Sequence, residues 1–216
     1  MLIWIWTFLF FACSLTGNEN ASSSNNGTNL SQGKVASGSQ FAPDPEEIEG
    51  TTEPTSSKDG SILERHKKLG KNPAYVVVLW LEAAIRAQNN EQEGWDALQY
   101  LTIPLKDEPN CKKSQANAFF VPEIENKNPS FRSCIVGATP ENGYMIDINN
   151  LSIEVHSEGR PSANGRKLMI RCNGANMPRP ISLQQSDQSG LYYVKEFSTM
   201  YVDVMPPVDP TKETFH

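Results

Sequence analysis

The feature that most constrains this chain is a change of hydrophobic period at Pro104. Upstream of it, Val77, Trp80, Leu81, Ala84 and Ile85 recur at spacings of three and four, which puts them on one face of a helix. Asn72-Pro73 opens that helix, with Asn able to cap it and Pro tolerated in its first turn. Asn89-Asn90 ends it near Gln88. Trp95, Leu98 and Leu101 predict a second, shorter helix that stops at Pro104. Downstream the period becomes two. Leu151, Ile153 and Val155 alternate with polar residues, as do Leu168, Ile170 and Cys172 and then Met200, Val202 and Val204. Each run predicts a half-buried strand. Asp187 to Gly190 reads as the turn of a hairpin joining Ile181–Gln185 to Leu191–Phe197. Further strands are expected over 118–121, 131–136 and 144–148. Helices followed by antiparallel strands define an α+β fold, with an N-terminal helical hairpin packed on a curved, cone-like antiparallel sheet.

The ends of the chain set where such a domain would work. Met1 to Ala12 is apolar and uncharged, yet too short for the roughly 20 helical residues that cross a bilayer. It reads as an export signal over 1–13. Phe10-Phe11-Ala12-Cys13 resembles a bacterial lipoprotein processing site, which implies lipidation at Cys13. A cleaved secretion signal and an uncleaved apolar anchor are the alternatives. Residues 14–61 form an acidic tether rich in Ser, Asn and Pro, composed of residues that bury too little to order themselves. Between 14 and 60 it holds seven acidic residues against Lys34 and Lys58, so it carries five of the chain's six net negative charges. The remaining segment, 62–216, is a single domain close to neutral. An acidic chain of this composition is not a nucleic-acid binder, and its expected partners are a membrane, reached through the lipid anchor or the N-terminal apolar segment, and a small ligand or envelope protein.

Three motifs lie in the folded segment: Gly137-Ala138-Thr139-Pro140-Glu141-Asn142-Gly143-Tyr144, Gly174-Ala175-Asn176-Met177-Pro178-Arg179-Pro180, and Glu196-Phe197-Ser198-Thr199-Met200-Tyr201-Val202. Together with Trp80 to Ala87 and Leu101 to Leu105 they resemble an exported bacterial family classed as a domain of unknown function. The resemblance extends from Pro73 to Pro207 and implies no activity. The order of elements, with the terminal strand at Gly190 to Val194, is similar to nuclear-transport-factor-2-like and cystatin-like domains, an analogy of fold alone.

No cofactor or metal is expected, since neither Cys-x-x-Cys nor His-x-x-x-His occurs. Cys111, Cys134 and Cys172 permit one disulfide and a free thiol in three possible pairings, but the balance favours none forming. Of the three histidines, His66 and His216 are expected in solvent, while His156 falls on a strand. As an acid or base it would need an orienting carboxylate. His156, Asp147 and Tyr144 are therefore the candidates for an enzyme reading. Trp80, Trp95, Tyr100, Tyr144, Tyr193 and Tyr201 are candidates to line an apolar cleft between helices and sheet, and Arg179 to clamp a carboxylate or phosphate. The favoured function is a non-enzymatic binding module. The competing ones are a pocket acid/base enzyme and a protein-interaction surface on strand edges.

Overall fold

A computed structural model describes residues 51–53, 59–105, 117–209 and 211. The expected export signal with Cys13, most of the expected tether, Cys111 and His216 lie outside the described residues.

The fold is α+β, as its order of periods predicts. In chain order it runs β1 (Thr51–Glu53), α1 (Ile62–Leu69), α2 (Pro73–Gln88), α3 (Gln92–Leu101), a short 3-10 turn at Ile103–Leu105, α4 (Asn117–Glu125), α5 (Ser130–Ser133), then β2 (Ile153–Glu158), β3 (Gly165–Ile170), β4 (Arg179–Gln185) and β5 (Tyr192–Glu196). The strands form one open antiparallel sheet in the order β1-β2-β3-β4-β5. Its inner face carries Ile153, Val155, Leu168, Ile170, Ile181, Leu183 and Val194, all buried. The period-two pattern is what sends them to one side.

Helix α2 is capped as its sequence requires: the Asn72 side chain accepts from the Ala74 and Tyr75 amides, and Pro73 takes the first turn. It differs from expectation in being buried all round, with fourteen of its sixteen residues inside. An apolar helix of that kind is a core element, not an amphipathic cover. Helix α3 lies against it at Gly94, where a Cβ would stand 2.4 Å from the Ala87 amide nitrogen, so the close approach of the two backbones needs glycine there. The space between helices and sheet is filled by aromatic rings. Trp80 packs on Phe120, Phe131 and Phe197, with ring centroids 5.3 to 6.0 Å apart, and its indole donates to Thr102 Oγ1 at 2.9 Å.

Helix α1 is closed at its start by a capping box between Ser61 and Glu64. Its basic run is divided: Lys67 and Lys68 are exposed, whereas Arg65 and His66 are not. Arg65 is buried and makes two bonds to the Glu82 carboxylate, of 2.8 and 2.6 Å. Burial opposes the charge on Arg65, but the bonds to Glu82 outweigh it and hold its pKa above the ordinary value. His66, expected to be solvated, is fully buried, with Nε2 2.8 Å from the Tyr192 carbonyl oxygen.

Four expected strands are corrected. Residues 118–121 belong to α4; of the expected strand 131–136, residues 131–133 lie in α5 and 134–136 are turn and bend. Residues 144–148 follow a turn and lack regular structure, and 200–204 are turn and irregular chain. An apolar run of three or four residues packs equally well on a helix, so period alone does not separate the two. The cysteines also depart from expectation: Cys134 and Cys172 form a disulfide that ties the end of α5 to the residues after β3. Both are buried. Strand β1 lies within the segment expected as tether and pairs with β2 through Thr51 and Val155.

Candidate functional site

Residues 200–208 form a strap that crosses the end of the domain without joining the sheet. It is held from outside by groups that read its backbone. Ser130 Oγ donates to the Val202 carbonyl at 2.6 Å, and Arg179 donates to the Val202 and Asp203 carbonyls at 2.7 and 3.0 Å. The Tyr144 hydroxyl donates to the Met205 carbonyl at 2.6 Å. In return the Met205 and Val208 amides donate to the carbonyls of Gly174 and Pro140, each at 2.9 Å. The three sequence motifs thus meet in one place: the first supplies Pro140 and Tyr144, the second Gly174 and Arg179, the third opens the strap itself.

Local conformation is tuned to this clamp. Tyr144 has φ of 57°, a left-handed backbone that bulky residues rarely hold unless their surroundings fix them. Its ring is buried and its hydroxyl anchored. Gly174 has φ of +73°, and a Cβ there would lie 2.2 Å from the Tyr144 hydroxyl oxygen. Only glycine fits on both counts. Burial, with the Glu141 carboxylate nearby, pushes the Tyr144 hydroxyl pKa up.

Arg179 is the most unusual charge in the domain. It is 6% exposed and, unlike Arg65, Arg86 and Arg171, makes no ion pair among the described residues. Burial lowers its pKa, countered only by Tyr144 and the exposed Asp203. A buried cation normally finds an anion. The guanidinium carries five N–H groups and spends two bonds on strap carbonyls. It also lines a cleft of about 480 Å3 between the 174–177 loop and Val202, Asp203 and Met205. The rim is mixed: Met177, Met205 and Val202, 75%, 55% and 53% exposed, stand beside the polar Asn176 and Asp203.

The other candidates are dispersed. His156 is half-buried with Nδ1 3.2 Å from Arg171, which bonds Glu154 at 2.7 Å. Its neighbour is thus a cation. Asp147 is exposed and accepts from the Asn149 amide. Tyr100 and Tyr193 come together, hydroxyls 3.5 Å apart, around the edge of His66. Burial and the Tyr193 hydroxyl push the pKa of Tyr100 up to about 12. Trp80 and Tyr201 stack with the core aromatics, and Trp95 packs on the core's edge. Among the described residues no cluster of His, Cys, Asp and Glu is placed to hold a metal ion. Asn128 and Ser130, which also hold the strap, carry no signal in the sequence, because their partners lie more than seventy residues away.

The fold and clamp define a small disulfide-bonded α+β domain with a strapped cleft at one end. The chain matches the model of the Domain of unknown function (DUF6935) family over residues 53–208 and belongs to that family. Neither the curated proteins nor the solved structures give a match to it.

Proposed function

We propose that this chain is an exported binding module, held at a membrane through Cys13 or its N-terminal apolar segment, that takes its ligand in the strap cleft. The observation that carries the site is Arg179: a buried guanidinium that makes no ion pair among the described residues, lining a cleft with methionines on its rim. That combination suits a ligand with a carboxylate or similar anionic group on an apolar body, the anion meeting the free N–H groups and the body meeting adaptable Met side chains. The Cys134–Cys172 disulfide supports export, since such bridges persist in oxidising compartments.

Decanoate and decanol serve as matched probes of the cleft. Decanoate should shift the amide resonances of residues 174–177 and 202–205 while decanol does not, and Met177→Asp, on the exposed rim, should abolish the response. Equal shifts from both probes, or shifts confined to other parts of the domain, would remove the case for the cleft. For export, a Cys13→Ser variant should accumulate as unprocessed precursor; normal maturation would exclude lipidation.

A further inference from the structure

We propose that a second groove, across one end of the sheet, binds a linear polyanion. The groove encloses about 420 Å3 and lies at the end of β3, β4 and β5 where Gly165 pairs with Gln184. Arg160, Arg166, Lys167 and Lys195 line it, against one carboxylate, Glu196. Glu196 accepts from Ser182 Oγ at 2.9 Å. None of the four cations makes an ion pair among the described residues, whereas Arg65, Arg86 and Arg171 each do. The folded segment is nearly neutral, so this cationic surplus is a local feature and not a reflection of overall charge.

Shape and lining narrow the ligand. Lys167 stands opposite Ser182, and Ser182 opposite Glu196, so the groove spans three strands. At about 4.8 Å per strand that is roughly 10 Å across, too wide for one phosphate to engage both sides. The surface is concave, so a planar bilayer would not reach its floor. The exposed apolar side chains Met177, Val202 and Met205 lie with Arg179, which pairs with Ile170 at the opposite end of the β3–β4 ladder. Among the described residues no aromatic side chain lines the groove, which removes the stacking platform that single-stranded nucleic acids use. What fits is a flexible chain carrying phosphates or carboxylates at intervals, each neutralised by a separate cation. The site stands on observations independent of the strap cleft.

The test is a titration of the full chain with short-chain inorganic polyphosphate and with polyglutamate, beside orthophosphate and phosphatidylglycerol vesicles. One or both polymers should bind, the stronger naming the anion source, with orthophosphate binding far more weakly. Affinity should fall with salt with a log-log slope of about −3, from four contacts at roughly 0.7 each. Lys167→Glu with Lys195→Glu should weaken polymer binding by about tenfold or more, while Lys127→Glu, exposed beyond α4, changes it by less than about twofold. Unaltered thermal midpoints would certify that the variants are folded. Absence of polymer binding at low salt, equal loss in the Lys127 variant, or binding to vesicles alone would each overturn the proposal.

Discussion

Opening the Cys134–Cys172 bridge should cost this domain a large part of its stability. The bridge closes a loop of 38 residues, which holds the turn that places Tyr144 and the whole β2–β3 hairpin. Loop-closure entropy for that length is about 13 cal/mol/K, or about 4 kcal/mol at 25 °C, released to the unfolded chain when the bridge is cut. For a domain of this size each kcal/mol moves the midpoint by about 2 to 4 °C, so a fall of roughly 8 to 16 °C is expected. The measurement is thermal unfolding of the natural chain and of the Cys134→Ala, Cys172→Ala double variant, each with and without reductant. Both cysteines are buried, so the double variant also loses some packing. The reductant separates the two effects: it should destabilise the natural chain and leave the variant unmoved. A natural chain whose midpoint falls by less than about 3 °C on full reduction would refute the entropic argument.

Three further outcomes follow from the geometry. Glu82→Gln should cost about 3 to 5 kcal/mol, because it strands the buried Arg65 guanidinium; the double variant Arg65→Met, Glu82→Leu should recover most of that in denaturant melts. Gly174→Ala should destabilise by about 1 to 3 kcal/mol and speed hydrogen exchange at the Met205 amide, with a smaller cost in a Tyr144→Phe background that removes the clashing hydroxyl. Tyr100 has a folded pKa raised above its unfolded value near 10, so its contribution is complete below pH 10 and is lost as pH rises toward about 12. Tyrosinate absorbance and a pH series of melts would follow this, and Tyr100→Phe should flatten that limb.

What the sequence makes legible is what local rules control. The Asn72-Pro73 start, the break at Asn89-Asn90 and the turn at Asp187 to Gly190 are each settled by the residues on the spot, and α2, α3 and the β4–β5 hairpin follow from them. The failures share a different cause. Phe120 and Phe131 sit in short apolar runs whose period suits a strand, yet they are drawn into helices around Trp80 by the ring cluster they complete. His66 lies in a run of charges that reads as solvent-facing, but the Tyr192 carbonyl it meets is over a hundred residues away. The strap is the sharpest case. Val202 and Val204 alternate as a strand would, but the carbonyl of Val202, a ladder acceptor in a strand, is taken by Ser130 and Arg179 instead. For the site, Tyr144 and Arg179 stand out in the sequence through their Gly- and Pro-rich settings, while their convergence on one strap is a long-range fact.

The clamp on that strap has an evolutionary consequence. Ser130, Arg179 and Tyr144 all take hold of carbonyl oxygens, which every amino acid possesses. The outward side chains at 202, 203 and 205 are therefore released from holding the fold together, although they border the cleft. Substitutions at these three positions should change the shape and chemistry of the rim at little cost in stability, so the cleft border is free to vary while the strap stays in place.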